Sequence, residues 1–270
     1  MVILMKFSDL SSLVGRRALI TGSAGFLGRT FADTLADLGA DLILIDRPGS
    51  ELTKLSDALK SQYDVKVNSF SCDFENSDSR IELINKIKKL GISLDILINN
   101  AAFVGSTNLD GWNTIFEKQT IDTWRKAFEI NLTSAFELSQ GLLPLLKQSP
   151  NASIINIASI YGTLGPDWSL YTNTNMANPA AYSVSKGGLI QLTKWLSTTL
   201  APEVRVNSIS PGGIFRNQHQ DFVERYSRKT PMARMANEED FRGVIGFLAS
   251  DLSSYVTGQN ICIDGGWSAW

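Results

Sequence analysis

Short runs of β-branched and leucine-rich residues recur along the whole chain, each bounded by Gly, Asp or Ser: residues 17–21, 41–46, 65–74, 94–99, 153–159, 204–210 and 260–264. Between them, apolar residues return at helical spacing over 27–38, 51–62, 78–90, 121–147, 182–200 and 238–250. Runs such as LILID and ILIN are apolar throughout instead of alternating with polar residues, so both faces of these strands are expected to be covered by helices. Strand and helix in alternation predict an α/β chain built on a seven-stranded, doubly wound parallel sheet. Its 270 residues suit one domain over 1–270, with no repeat or linker to divide it. Two segments, 162–179 and 214–233, fit no strand-helix unit. Both follow strands, at the carboxyl ends where an open parallel sheet has its ligand crevice, and are expected to wall a substrate.

Charge and rare residues narrow the chemistry. With 25 Lys+Arg against 27 Asp+Glu, the chain has no electrostatic footprint for nucleic acid. The lone His219 excludes a zinc site built on histidines and any mechanism needing several imidazoles. Cys72 and Cys262 lie far apart in apolar runs, which predicts buried free thiols and a reducing, cytoplasmic setting. The opening MVILMKFSDL has four apolar residues between Met1 and Lys6, too few for a signal peptide or a membrane span, and reads as a leader or extra edge segment.

The run RALIT leads into Thr21-Gly22-Ser23-Ala24-Gly25-Phe26-Leu27-Gly28, which opens a helical segment. Glycine serves there because the turn is tight, because backbone must approach a pyrophosphate, and because the helix packs on the strand, its N-terminus facing the anion. A glycine-rich turn without a ligand is the plainer alternative. Asp46, ending the next strand eighteen positions beyond Gly28, argues for the nucleotide. Its carboxylate would accept hydrogen bonds from a ribose 2′-OH and repel a 2′-phosphate, favouring NAD over NADP. Arg47 opposes that preference, but no basic residue occurs within 23–27 to assist it. These features specify a Rossmann fold.

Tyr182 and Lys186 stand four apart at the start of a helical segment, on one face. A free phenol has a pKa of about 10, and a neighbouring ammonium stabilises the phenolate and turns it into an accessible proton carrier. Tyr161 and Tyr171 have Gly165 and Asn175 at the same offset and lack the cation.

Other segments accompany this pair in a fixed order. They are the glycine turn, Asp73 in CDF, Asn99-Asn100-Ala101-Ala102, Asn131 in INLTSAFELSQ, Ser159 closing IINIAS, YSVSK, Pro211-Gly212-Gly213, and Thr257-Gly258 before ICIDGG. In this order they resemble the short-chain dehydrogenase/reductase family over 17–266. The resemblance implies hydride exchange with a nicotinamide cofactor, Tyr182 moving the proton at the substrate oxygen, Ser159 bonding the same oxygen, and Lys186 lowering the Tyr182 pKa and holding the ribose. Asn131 would fix a water that relays protons from Lys186. Cofactor contacts would come from Gly22, Ser23, Gly25, Phe26, Leu27, Gly28, Asp46, Arg47, Asp73 at the adenine, Phe74, Asn99, Asn100, Ala101, Ala102, Pro211, Gly212 and Ile214 at the carboxamide. It also implies a homotetramer or homodimer built on the 121–147 and 182–200 helices.

Two departures stand out. The turn reads TGxxGxxG where single-domain members mostly read TGxxxGxG, a pattern shared with longer sugar epimerases and dehydratases that retain NAD, which keeps that alternative open beside a 3-oxoacyl-type reductase. Tyr182 also lies twenty-three positions beyond Ser159, more than usual for the family, and the excess GPDWSLYTNTNMANPA is polar and aromatic. With Tyr161, Trp168, Tyr171, Asn173 and Asn175 on this side and Arg216, Asn217, Gln218, His219, Arg225, Arg228 and Lys229 opposite, the small-molecule substrate is expected to be a sugar or sugar phosphate. The SIYG and NPxxYxxxK arrangement at 159–162 and 178–186, together with this insertion, also resembles the flagellin-modification protein A group of surface-carbohydrate dehydrogenases. A surface excursion and a solvated helix face are the plainer alternatives.

Overall fold

The computed structural model describes residues 5–104 and 109–270. Its strands are β1 (Arg17–Thr21), β2 (Asp41–Asp46), β3 (Val67–Ser71), β4 (Ile96–Asn99), β5 (Ala152–Ile157), β6 (Val204–Pro211) and β7 (Asn260–Ile263). All pair in parallel in one sheet of order β3-β2-β1-β4-β5-β6-β7, so the expected seven-stranded doubly wound Rossmann sheet is present. Side chains alternate between its faces, and both faces are apolar. Leu42, Leu44, Ile96 and Ile98 pack with Phe31, Leu35, Ile245 and Leu248, whereas Ile43, Ile45 and Leu97 pack with Leu83, Leu142 and Leu196. That two-sided burial is why LILID and ILIN show no polar alternation.

The helices are α1 (Phe7–Ser11), α2 (Phe26–Asp37), α3 (Leu52–Gln62), α4 (Ser77–Lys88), α5 (Ile121–Phe128), α6 (Ser134–Leu146), α7 (Ala180–Leu200), α8 (Gln220–Lys229) and α9 (Arg242–Ala249). Among the described residues no helix is long and apolar enough to cross a membrane.

Four expectations need correction. The stretch 121–147 is not one helix. A π turn, Glu129–Thr133, separates α5 from α6, with the Ser134 N–H reaching back to the Glu129 carbonyl, because the wider turn lets Asn131 point inward. The segment 214–233 is not a plain loop but contains α8, whose Phe222 and Tyr226, one turn apart, bury against the body. The leader or edge segment contains α1; residues 1–4 lie outside the described ones. Only Cys72 is buried. Cys262 is exposed because β7 is an edge strand with one face open.

One buried cation holds the π turn in place. Arg80, near the start of α4 and 2% exposed, donates from Nε to Glu137 at 2.5 Å, from Nη2 to Glu129 at 2.9 Å, and from Nη1 to the Phe74 carbonyl at 2.5 Å. It thereby ties the loop after β3 to the turn that carries Asn131. Removing it strands a buried carbonyl and two carboxylates. Arg80→Met is expected to lower stability by about 2–4 kcal/mol in urea unfolding, and a loss below about 1 kcal/mol would contradict this role.

Candidate active site

The sheet order places β1 between β2 and β4, and the chain leaves β1 towards one edge and β4 towards the other, opening a crevice above their carboxyl ends. The glycine turn lies there. Gly22 has φ +64°, and a Cβ on it would sit 2.9 Å from the Ala101 Cα. A Cβ on Gly28 would sit 2.1 Å from the Gly22 carbonyl oxygen, so no side chain fits at either position. Asn100 clasps the turn, donating from Nδ2 to the carbonyls of Thr21 at 2.9 Å and Gly22 at 3.0 Å, while the Thr21 hydroxyl accepts from the N–H of Asn100 and of Ala101.

Helix α2 starts without a side-chain cap and without an acid in its first turn, its N-cap being Gly25. Among the described residues no acceptor meets the N–H groups of Phe26, Leu27 and Gly28. By contrast, Asn76, Thr120 and His219 cap α4, α5 and α8. Three free donors at a positive helix end suit the phosphates of a dinucleotide. Asp46 accepts from the Ala24 N–H at 2.7 Å and the Arg47 N–H at 2.8 Å, which fixes its carboxylate beside the turn; the Arg47 side chain is exposed. Asp73 is exposed, accepting from the Glu75 N–H, and Phe74 is buried.

Two residues of the expected cofactor set are turned elsewhere. Ser23 is buried, with its hydroxyl on the Ile45 carbonyl at 3.2 Å. Asn99 directs its amide nitrogen to Asn156 at 2.8 Å and Ser139 at 3.4 Å, inside the sheet rather than across the crevice.

Beyond β5, Ser159 comes beside the first turns of α7. Helix α7 carries Tyr182 and Lys186. Lys186 is 2% exposed, and its Nζ donates to the Ile157 carbonyl at 2.6 Å and lies 5.9 Å from the centre of the Tyr182 ring. Burial pulls its pKa down to about 7. Burial pushes the Tyr182 phenol upward, while the hydrogen bond from Ser159 pulls it back. Asn131, 1% exposed, accepts from the Phe103 N–H at 2.6 Å and donates to the Ser185 hydroxyl at 2.9 Å. It therefore joins the loop after β4 to α7 beneath the tyrosine. All four residues of the expected proton-handling set come together at one end of the crevice.

The insertion and α8 form a wall over that end. Trp168–Tyr171 is a short 3-10 turn, and the Tyr171 hydroxyl meets that of Tyr161 at 2.9 Å. Burial pushes both phenols upward, and either can be the donor in the bond between them. Tyr171, Phe222, Tyr226 and Trp267 form a continuous aromatic row.

Two of the α8 cations are engaged within the wall, whereas Arg228 is exposed with no ionic partner among the described residues. Lys229 pairs with Asp167 and Ser169, and Arg225 pairs with Asp221 and reaches the carbonyls of Leu170 and Thr172. His219 is exposed and caps α8 through Nδ1. Arg216 lies on the cofactor side, 4.2 Å from the Phe26 ring centre and paired with Glu238 at 2.6 Å. Phe222 and Tyr226 were legible only as helical spacing hidden within a highly charged segment. Asn178, which touches both phenols, was legible only as the first residue of the NPxxYxxxK arrangement, with no role assigned to it.

A family model described as enoyl-(acyl carrier protein) reductase matches residues 22–268. A 3-oxoacyl-[acyl-carrier-protein] reductase of Aquifex aeolicus is 30% identical over 259 residues, covering 94% of this chain and 98% of its own. Post-translational flagellin modification protein A of Campylobacter coli is 28% identical over 250 residues, covering 92% and 96%. Among solved structures, a short chain dehydrogenase from Leptospira borgpetersenii with bound NAD+ superposes with TM-score 0.83 at 34% identity, covering 99% and 98%. A gluconate 5-dehydrogenase from Burkholderia cenocepacia in complex with NADP and tartrate gives 0.85 at 25%, covering 97% and 99%.

Holding Lys186 as a buried ammonium costs the fold on the order of a few kcal/mol. Its folded pKa of about 7 lies below the ordinary 10.5, so the unfolded chain binds more protons between these values and wild-type stability rises across that window. Lys186→Met is therefore expected to melt a few degrees above wild type near pH 6, with the advantage shrinking as pH rises beyond about 7. Thermal unfolding over a pH series checks this; a variant less stable at every pH contradicts it.

Proposed function

The chain belongs to the short-chain dehydrogenase/reductase family, NAD(P)-dependent oxidoreductases of CH–OH and C=O groups, and on that footing we propose that it interconverts a secondary alcohol and a ketone of a neutral sugar or polyol using NAD. The observation that carries the reading is Tyr182 beside Ser159, with the Lys186 Nζ behind the phenol, at the opposite end of one crevice from the bare start of α2.

A nicotinamide cofactor held in this crevice would supply the hydride in reduction and accept it in oxidation. Ser159 donates a hydrogen bond to the substrate oxygen and fixes the carbonyl against Tyr182. In reduction, Tyr182 gives its proton to that oxygen as it becomes an alkoxide, leaving a phenolate. Lys186, whose burial brings its pKa near neutrality, takes up a proton from solvent water as the phenolate forms and stabilises it as an ammonium. In oxidation the phenolate takes the hydroxyl proton. Asn131, through Phe103 and Ser185, holds the helix and the loop in register for these steps.

NAD is favoured by Asp46, whose carboxylate is clipped to the turn where a 2′-phosphate would be repelled. A neutral substrate is supported by the pairing of Arg216, Arg225 and Lys229 with carboxylates or carbonyls, which leaves Arg228 as the exposed α8 cation without an ionic partner among the described residues, and by the phenols and Asn178 of the wall. This narrows the expectation to its sugar half. A second reading, reduction of 3-oxoacyl thioesters, is supported by the Aquifex aeolicus relative. Free thiols at Cys72 and Cys262 support a cytoplasmic setting. The exposed Phe136, Val184 and Trp195 on α6 and α7 support a homotetramer or homodimer there.

Tyr182→Phe is expected to abolish turnover while NADH still binds; retained turnover would sink the proposal. In a screen read by NADH absorbance, neutral sugars and polyols are expected to turn over ahead of sugar phosphates and 3-oxoacyl thioesters, and turnover confined to the thioester would select the second reading. Asp46→Ser is expected to shift the cofactor preference towards NADP by about tenfold or more, equivalent to about 1.4 kcal/mol.

A further inference from the structure

The turn after β6 is held from three directions. The Gly212 N–H donates to the Ile263 carbonyl at 2.9 Å, the Gly213 carbonyl accepts from the Ala236 N–H at 2.9 Å, and the Gly213 N–H donates to the Tyr226 hydroxyl at 2.6 Å. Only the last of these bonds comes from a side chain. Because a trans peptide is planar, anchoring the Gly213 carbonyl on Ala236 turns the Ile214 N–H to the opposite side. That N–H has no acceptor among the described residues, although the Ile214 carbonyl is taken by Gln218 at 2.7 Å.

The Tyr226 ring also sets the shape of the turn. A Cβ on Gly213 would fall 2.7 Å from its Cζ, and one on Gly212 would fall 3.0 Å from its hydroxyl. The ring is 1% exposed and stacks on Trp267 at 4.4 Å and 8°. On its other side Phe222 lies 6.0 Å away and in turn meets Tyr171, the phenol of the substrate wall, at 5.4 Å.

We propose that Tyr226 is a positioning residue for the nicotinamide end of the cofactor: its hydroxyl fixes the Gly212–Gly213 peptide and, together with the Ala236 N–H on the Gly213 carbonyl, sets the Gly213 conformation from which the Ile214 N–H is presented to the carboxamide, while its place in the aromatic row packs that turn against the substrate wall. The inference rests on the nucleotide reading above and adds a residue outside the proton-handling set. Tyr226 touches neither the reacting atoms nor Tyr182; it acts through the backbone of the turn. Tyr226→Phe keeps the stack and deletes only the hydroxyl, leaving the half-buried Gly213 N–H without its partner.

The test is fluorescence and calorimetric titration of wild type and Tyr226→Phe with NADH and with ADP-ribose, which lacks the nicotinamide, alongside thermal unfolding. The expected result is NADH binding weakened about tenfold by the variant, with ADP-ribose affinity unchanged. Equal weakening of both ligands would make Tyr226 merely structural and overturn the proposal, as would NADH binding that stays at the wild-type value. A wild-type protein that binds neither ligand would overturn the nucleotide reading itself, and this inference with it.

Discussion

Strands β1 and β4 run side by side in register, Ala18 opposite Ile96 and Ile20 opposite Ile98, while their chains depart towards opposite edges of the sheet. Every candidate functional group depends on that divergence. The Thr21 hydroxyl sits at the fork, donating to the Ile98 carbonyl and accepting from the amides of Asn100 and Ala101, so the glycine turn of one strand and the exit of the other are joined. Without the fork, the free donors of α2 and the phenol of Tyr182 would not share a crevice.

The site is bought with buried charge. Lys186 is held in a place that penalises its ammonium, which makes its protonation responsive to a neighbouring phenolate. Arg80 is buried for a different purpose: its two carboxylate partners and the Phe74 carbonyl hold the π turn from which Asn131 reaches both Phe103 and Ser185. A regular helix through this segment would not leave that turn widened, which links an irregularity in backbone geometry to the alignment of the proton-handling groups.

The wall opposite the catalytic hydroxyls shows how composition misleads when contacts are unknown. A run of Arg and Lys in 214–233 reads as an anion site, yet Asp167, Asp221 and Glu238 supply partners for Lys229, Arg225 and Arg216, leaving Arg228 as the α8 cation without an ionic partner among the described residues. The Tyr161 and Tyr171 phenols share one hydrogen bond in the same wall. Such hydroxyl and aromatic groups support the proposed polar, uncharged ring.

The local rules were legible in the chain itself. Apolar runs covered on both faces, glycines where a Cβ would meet backbone, and a Tyr four residues before a Lys are determined by neighbours in sequence, so the strands, the dinucleotide turn and the Tyr182–Lys186 pair were legible there, whereas Ser159 joined them only through the family resemblance. Tertiary structure alone decided that Ser23 and Asn99 turn into the sheet, that Arg216 crosses to Phe26, that the helix carrying Asn131 breaks, and that Tyr226 supports the turn after β6. Each of these depends on which distant carbonyl, carboxylate or ring becomes a neighbour once the sheet closes. Periodicity reports the face on which a residue lies, but not the partner that satisfies it.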